Sequence, residues 1–317
     1  FSLIYTNYLG KRRDWSNFRR FTYFVSKNFT NKTFLQRIGE GDFSSLEKIK
    51  ENFSVDKVTS EFYKKLANWY FWALRNVRFP DDAEKEKNGR EMAVIRLLIR
   101  LIFIWFMKEK EGLVPKWLFE KEKVEQILKD LSNEESTYYK AILQNLFFAT
   151  LNTPQNKRRF TKEDRYHKGW NEDFGRHNFY RYHELFKNPD KLEEYFREIP
   201  FLNGGLFECL DVKDRSQEER LYIDGFTRVK KHQPYVPNFL FFSEEKSADL
   251  NKDFGTKNKQ YRVEGIISLL SSYNFTIDEN KADDQDVALD PELLGKVFEN
   301  LLASFNPETV TTARKAT

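Results

Sequence analysis

The sequence predicts a mainly α-helical protein with a small α/β portion at its N-terminal side and a minor β element near residues 220–245. Three observations carry that prediction. From Phe53 onward, apolar residues recur at spacings of three and four, the period of helices with a buried face. The chain holds 31 Phe, 15 Tyr and 6 Trp against only 13 Gly, which suits helices packed through large rings better than a glycine-rich nucleotide fold. Hydrophobic residues reach 40% and charged residues 32% of 317, enough for one large core or two ordinary ones rather than a disordered tail.

The elements follow in order. LIYTNYL and FRRFTYFVSKNFT have the aromatic and β-branched content of strands, with Gly10-Lys11-Arg12-Arg13-Asp14 as a basic turn between them. Val58, Phe62, Leu66, Trp69 and Ala73 then lie on one helical stripe. Pro80-Asp81-Asp82 and the charged run to Arg90 read as a loop. The stretch from Gly89 predicts a long helix ending at Gly112, apolar around most of its circumference. Such a helix sits centrally, so Arg96 and Arg100 on it need partners. A shorter helix is expected over Glu122–Leu131, and Ser132-Asn133-Glu134-Glu135 reads as a capping box starting another through Phe148. Asn152–Phe179 is polar and aperiodic, an exposed loop or a contact surface. Asn188-Pro189 opens a short helix, and Asn203-Gly204-Gly205 is turn chemistry. LYIDGFTRVKKHQPYVPNFLFF supplies the minor β element. VEGIISLLSSY and DPELLGKVFENLLASF return to helix, the second with Asp290 as cap and Pro291 at the first helical position.

Composition excludes several classes. The single cysteine, Cys209, allows no internal disulfide and no thiolate zinc site, and it suits a reducing cytoplasm. Met92–Met107 is too short for a bilayer span and contains two arginines, so no membrane partner is expected. A net charge of +4, from 53 basic and 49 acidic residues, does not by itself require a nucleic-acid partner. No secretory leader is evident, no starting Met is present, and both ends read as severed.

Neither a Gly-x-Gly-x-x-Gly nor a Walker-type loop occurs, so dinucleotide and P-loop chemistry are unsupported. Asn306-Pro307-Glu308 is the nearest approach to an adenine methyltransferase Asn/Asp-Pro-Pro-aromatic motif. It lacks the second proline and the aromatic ring that would stack on a flipped base, and it reads as a helix stop. Glu244-Glu245-Lys246 matches the second half of an Asp…Glu-x-Lys nuclease signature, but Pro189-Asp190 lies over fifty residues away and begins a helix. A solvated surface loop is the better reading. His167, His177, His183 and His232 match no metal-ligand spacing. No catalytic, cofactor-binding or metal residue is therefore assigned. The candidate DNA contacts are Lys11, Arg12, Arg13, Arg19 and Arg20, together with Lys157, Arg158 and Arg159, because each group sets phosphate-neutralising charge beside aromatics.

Read in order, LIRLIFIWFMKEKEGLVP, IPFLNGGLFE, IDGF, VPNFLFF, YNFTIDEN and LDPELLGKVFENLLASFNPETVTTARKAT resemble the Eco57I-like, type IIG single-chain restriction-modification enzymes. In that family nuclease, helical connector, methyltransferase and target-recognition domain share one chain. The resemblance covers most of the sequence, most densely from Arg90 onward. It implies that residues 1–52 end an upstream nuclease-side domain and that 53–317 form a helical connector bundle leading into a methyltransferase domain. It further implies a parent that methylates adenine N6 of double-stranded DNA with S-adenosylmethionine and cleaves DNA with Mg²⁺. None of the family's catalytic motifs falls inside these boundaries, so the chain alone is expected to be inactive. Two other readings stay open: a free-standing helical binding module, and the connector of a phage-defence methyltransferase that lacks a nuclease.

Overall fold

A computed structural model describes residues 2–3, 6–9, 12–15, 19–22, 25, 27, 31–53, 55–109, 113–160, 174–202, 204–213, 220–273, 275 and 285–286, with backbone alone before residue 25, at 55–57, at 213 and at 285–286. The protein is mainly helical and forms two compact units, residues 1–66 with 269–317 and residues 67–268. This grouping differs from a division after residue 52: the helix from Val55 contributes its residues through Leu66 to the first unit and those from Ala67 to the second.

In the first unit, β1 (Ser2–Leu3), β2 (Thr6–Leu9), β3 (Arg12–Trp15) and β4 (Arg19–Thr22) are short strands. β2 and β3 pair antiparallel with Leu9 opposite Arg12, so Arg12, Arg13 and Asp14 belong to a strand rather than to the expected turn. β1 pairs β4 antiparallel. α1 (Lys32–Phe34) continues into a π-helical turn over Leu35–Gly39, followed by α2 (Leu46–Asn52), whose Ser45 cap accepts from the Lys48 amide. Buried Arg37 reaches Glu61 at 2.8 Å. Glu61 lies on α3 (Val55–Asn76) beside Phe62, which packs edge-on against Tyr273 and Phe275.

The second unit is built around two buried helices. The stripe on α3 is as expected, with Val58, Phe62 and Leu66 buried in the first unit and Trp69 and Ala73 in the second. Asp81–Lys85 is a helix, α4, where a loop was expected. Asp81, Asp82 and Glu84 in its first turn complement the helix dipole, and the Pro80 carbonyl accepts the Ala83 and Glu84 amides. The long apolar helix α5 spans Gly89–Glu109 and buries all but a narrow stripe. Gly112, its expected stop, lies outside the described residues.

α6 covers Lys121–Ile127. The next helix is a π-helix over Tyr138–Leu151, buried at every position except Lys140. The wider i→i−5 turn is braced by side chains, with Thr150 Oγ1 donating to the Asn145 carbonyl and Thr153 Oγ1 to that of Phe148. The expected capping box at Ser132 does not form. Asp130 takes both the Ser132 amide and its hydroxyl, and the helix is capped from a distance by Asn238 Oδ1, which accepts the Tyr138 amide at 3.0 Å. No contiguous four-residue pattern could have signalled that cap.

Pro189 opens a 3-10 turn leading into α7 (Leu192–Phe196). β5 (Val212–Lys213) pairs β6 (Arg220–Leu221), and β7 (Lys246–Ala248) pairs β8 (Tyr261–Val263). β6 thus opens the window expected to be β and β7 begins just past its end, while the residues between them form turns, a 3-10 helix at Lys230–His232 and α8 (Phe239–Phe242). Pro234 and Pro237 lack the amides a ladder needs. α9 (Asn251–Phe254) and α10 (Ile266–Leu270) follow, and β9 (Gln285–Asp286) pairs parallel to β4. The helix expected over DPELLGKVFENLLASF lies outside the described residues. Among the described residues no helix is long and apolar enough to cross a membrane.

Candidate nucleic-acid interface

The basic cluster at 157–159 is split by its own backbone. A 3-10 turn over Gln155–Lys157 gives way to extended chain, and Arg159 bridges Phe179. Successive side chains of extended backbone point to opposite sides. Lys157 and Arg159 are accordingly exposed, and Arg158 is 5% exposed. Its guanidinium donates to five backbone carbonyls: Nε to Thr153 (3.1 Å), Nη1 to Phe196 and Arg197 (3.1 and 3.0 Å), Nη2 to Thr150 and Ile199 (3.0 and 2.7 Å). These carbonyls lie at the C-terminal ends of the π-helix and of α7, where the last turn leaves acceptors without intrahelical donors and the dipole favours a cation. Burial pulls the Arg158 pKa below the ordinary arginine value. Arg158 therefore has no donor left for a phosphate, which corrects its place among the DNA contacts.

Arg12, Arg13, Arg19 and Arg20 sit on β3 and β4, with Tyr8 opposite Arg13 and Leu3 opposite Arg19 in the backbone register. Lys11 lies outside the described residues, as does His167. Of the other histidines, His232 stacks on Tyr222 at 4.0 Å, His183 is buried, and His177 has its Nε2 buried without a hydrogen-bond partner.

Burial and the nearby Arg181 cation push His177 down to about 4. A base whose folded pKa is depressed contributes stability above its unfolded value of 6.5 and loses it as pH falls through the folded value. Thermal stability is thus expected to drop between about pH 6.5 and 4, and His177→Gln to flatten that drop, as read by melting curves across the interval. An unchanged acid limb in the variant would assign the loss to other groups.

The Glu244-Glu245-Lys246 triplet is exposed, with Glu245 near Arg262 (3.5 Å) and Lys246 standing over the Trp72 and Phe239 rings at 4.9 and 5.0 Å. That ammonium is occupied by aromatic faces rather than presented beside a carboxylate pair. An open cleft in the first unit sets Arg37, Lys48, Lys64 and Lys65 against Glu40, Asp42, Glu51 and Glu61, so it has no field of one sign. Among the described residues no group of three His, Cys, Asp or Glu could hold a metal ion.

Beneath the surface lies a polar network that sequence reading assigned only as a need of α5. Arg100 Nη1 meets Asp224 Oδ1 at 3.1 Å, its Nε donates to the Leu206 carbonyl and its Nη2 to that of Glu208. Asp224 Oδ2 accepts the Leu210 amide. Asp211 Oδ1 collects the amides of Ile223, Asp224 and Gly225, and its Oδ2 that of Phe226. Burial, then the neighbouring Asp224 carboxylate, push Asp211 up, and the Gly225, Ile223 and Phe226 amides oppose them. The turn closes on Gly225, with φ +64°, where a Cβ would lie 2.3 Å from the His232 carbonyl oxygen. Gly225→Ala is expected to cost about 1–3 kcal/mol or more through strain and this clash, measurable by urea unfolding. One turn earlier on α5, the Arg96 Nε is buried with no hydrogen-bond partner.

The geometry thus offers two exposed cations, Lys157 and Arg159, beside an arginine consumed by internal hydrogen bonds, with no assembled catalytic group among the described residues. No protein-family model matches the chain, and no solved structure does. A curated protein of Methanocaldococcus jannaschii, named "Putative type II restriction enzyme and methyltransferase RM.MjaORFECS2P", is 25% identical over 269 residues, covering 78% of this chain. The match takes in 17% of that relative's length. Over most of its length, this chain is similar to one part of a much longer restriction-modification protein.

Proposed function

We propose that the chain is the connector and DNA-positioning segment of a type II restriction-modification protein. In this reading the parent methylates adenine N6 of double-stranded DNA with S-adenosylmethionine, cleaves DNA with Mg²⁺, and works in the cytoplasm. The observation that carries it is the similarity across 78% of the chain to a fraction of a long protein named for both activities. The packing adds a physical role. Two active sites competing for one DNA locus need a fixed separation, and a body braced by aromatic contacts and buried arginines holds one better than a flexible linker. The residues present do not fit either small partner. The chain has no glycine-rich cofactor loop, and the described residues offer no metal-ligand group.

The test is methyl transfer. The full-length polypeptide is expected to label adenine in duplex DNA from radiolabelled S-adenosylmethionine, and the purified 317-residue chain neither to label nor to cut it. Labelling by this chain alone, or none by the full-length protein, would sink the proposal. If Lys157 and Arg159 contact phosphates, replacing both with Ala should reduce the log–log salt slope of DNA binding by about 2. An unchanged slope would remove them from the interface.

A further inference from the structure

The exposed side of α5 has the wrong chemistry for a helix that faces water. Residues left unburied along its length include Met92, Arg96, Ile99 and Phe103, at successive spacings of four, three and four, so they form one stripe. Met92 is 41% and Phe103 36% exposed, and Ile99 is half-buried between them. Phe103 is held edge-on by Phe207, so its ring is presented rather than loose. A solvent stripe on a surface helix normally carries charge. Here the one charge is Arg96, whose Nε is shielded from water and has no acceptor. Arg100, one turn on, shows how this helix treats a guanidinium it uses internally: three acceptors close around it.

We infer that the Met92–Arg96–Ile99–Phe103 stripe is a docking face for an apolar element bearing a carboxylate, contributed by another domain of the same polypeptide. The inference rests on the proposed function for the existence of that domain. The apolar residues would be covered and Arg96 would gain a charge-assisted partner at the centre of the contact. A second copy of this chain fits poorly. Two-fold pairing of α5 about the middle of the stripe brings two Arg96 guanidiniums together in an apolar contact, with no carboxylate on the stripe to separate them. The matched stretch is 17% of the relative's length, which leaves ample polypeptide in such a protein to supply the occupant.

The experiment places benzoylphenylalanine at Ile99 of the full-length polypeptide, with the exposed Lys123 as a control position, and maps the photo-cross-linked peptides by mass spectrometry. The expected result is an intramolecular cross-link from position 99 to a peptide outside residues 1–317 that contains Asp or Glu, absent from position 123. Arg96→Glu should abolish it, and Arg96→Lys should retain it. The position-99 result stands without either Arg96 variant, so a folding defect in them does not blunt the test. A cross-link to the same helix of a second copy, a yield no greater than from position 123, or a partner peptide from within residues 1–317 would each overturn the inference. Failure of the proposed function reads out separately, as absence of methyl transfer by the same full-length protein.

Discussion

Replacing Arg158 with Met is expected to destabilise the protein by about 3–5 kcal/mol, the range for removing one member of a buried charged network. Methionine keeps the apolar stem and deletes every donor. The five carbonyls that Arg158 now satisfies would be left inside without partners, and an orphaned buried acceptor costs on the order of 1–3 kcal/mol before relaxation. The π-helix end and the α7 end are joined through this one side chain, so both should loosen together. Lysine is expected to recover only part of the loss, because one ammonium cannot span acceptors spread over five residues. Lys157→Met and Arg159→Met, on the exposed side of the same segment, should stay within about 0.5 kcal/mol. Urea unfolding of the four variants measures all of this as a shift in midpoint at constant slope. A loss from Arg158→Met no larger than that from its neighbours would mean that its hydrogen bonds are replaced by water.

Arg158 also marks what a sequence can and cannot disclose. Lys157-Arg158-Arg159 reads as one basic cluster because charge is visible and side-chain direction is not. The turn that ends at Lys157 sets the phase of the extended residues after it, and that phase sends the middle guanidinium inward. The helical stripe on α3 was legible because its period is carried by five apolar side chains on a single element. Likewise, the apolar circumference of α5 announced that Arg100 needed a partner. What it could not announce was Asp224, 124 residues away, since a pairing of that separation leaves no local trace. The same holds for Asn238, which caps the π-helix from 100 residues on. Conversely, the charged run after Pro80 read as a loop because polarity was weighed and the dipole was not. Three acids in a first turn behind a proline are a helix start.

The Arg100–Asp224 pair is where the largest coupled effect is expected. Asp224→Ala leaves Arg100 in a site where the pair's side chains are 3% and 4% exposed, and it strands the Leu210 amide as well. A loss of about 3–5 kcal/mol should follow, because the remaining charge is neither solvated nor neutralised. Arg100→Met reverses the situation. It strands the carboxylate beside Asp211, which burial and this same neighbour already push toward its neutral form. The double variant should cost clearly less than the two single losses added, since no buried ion is left without its counter-ion. A coupling of about 1–3 kcal/mol between contacting charges is the expected difference. The cycle needs three urea-unfolding measurements against the parent chain. Additive losses would mean that the two residues act through separate contacts, Arg100 through the Leu206 and Glu208 carbonyls and Asp224 through the Leu210 amide. Strong coupling would mean that the pair itself anchors α5 to the 206–226 segment. In that case the anchoring also orients the outer stripe of α5, because Arg96 and Phe103 lie within about one turn of Arg100 on the same helix.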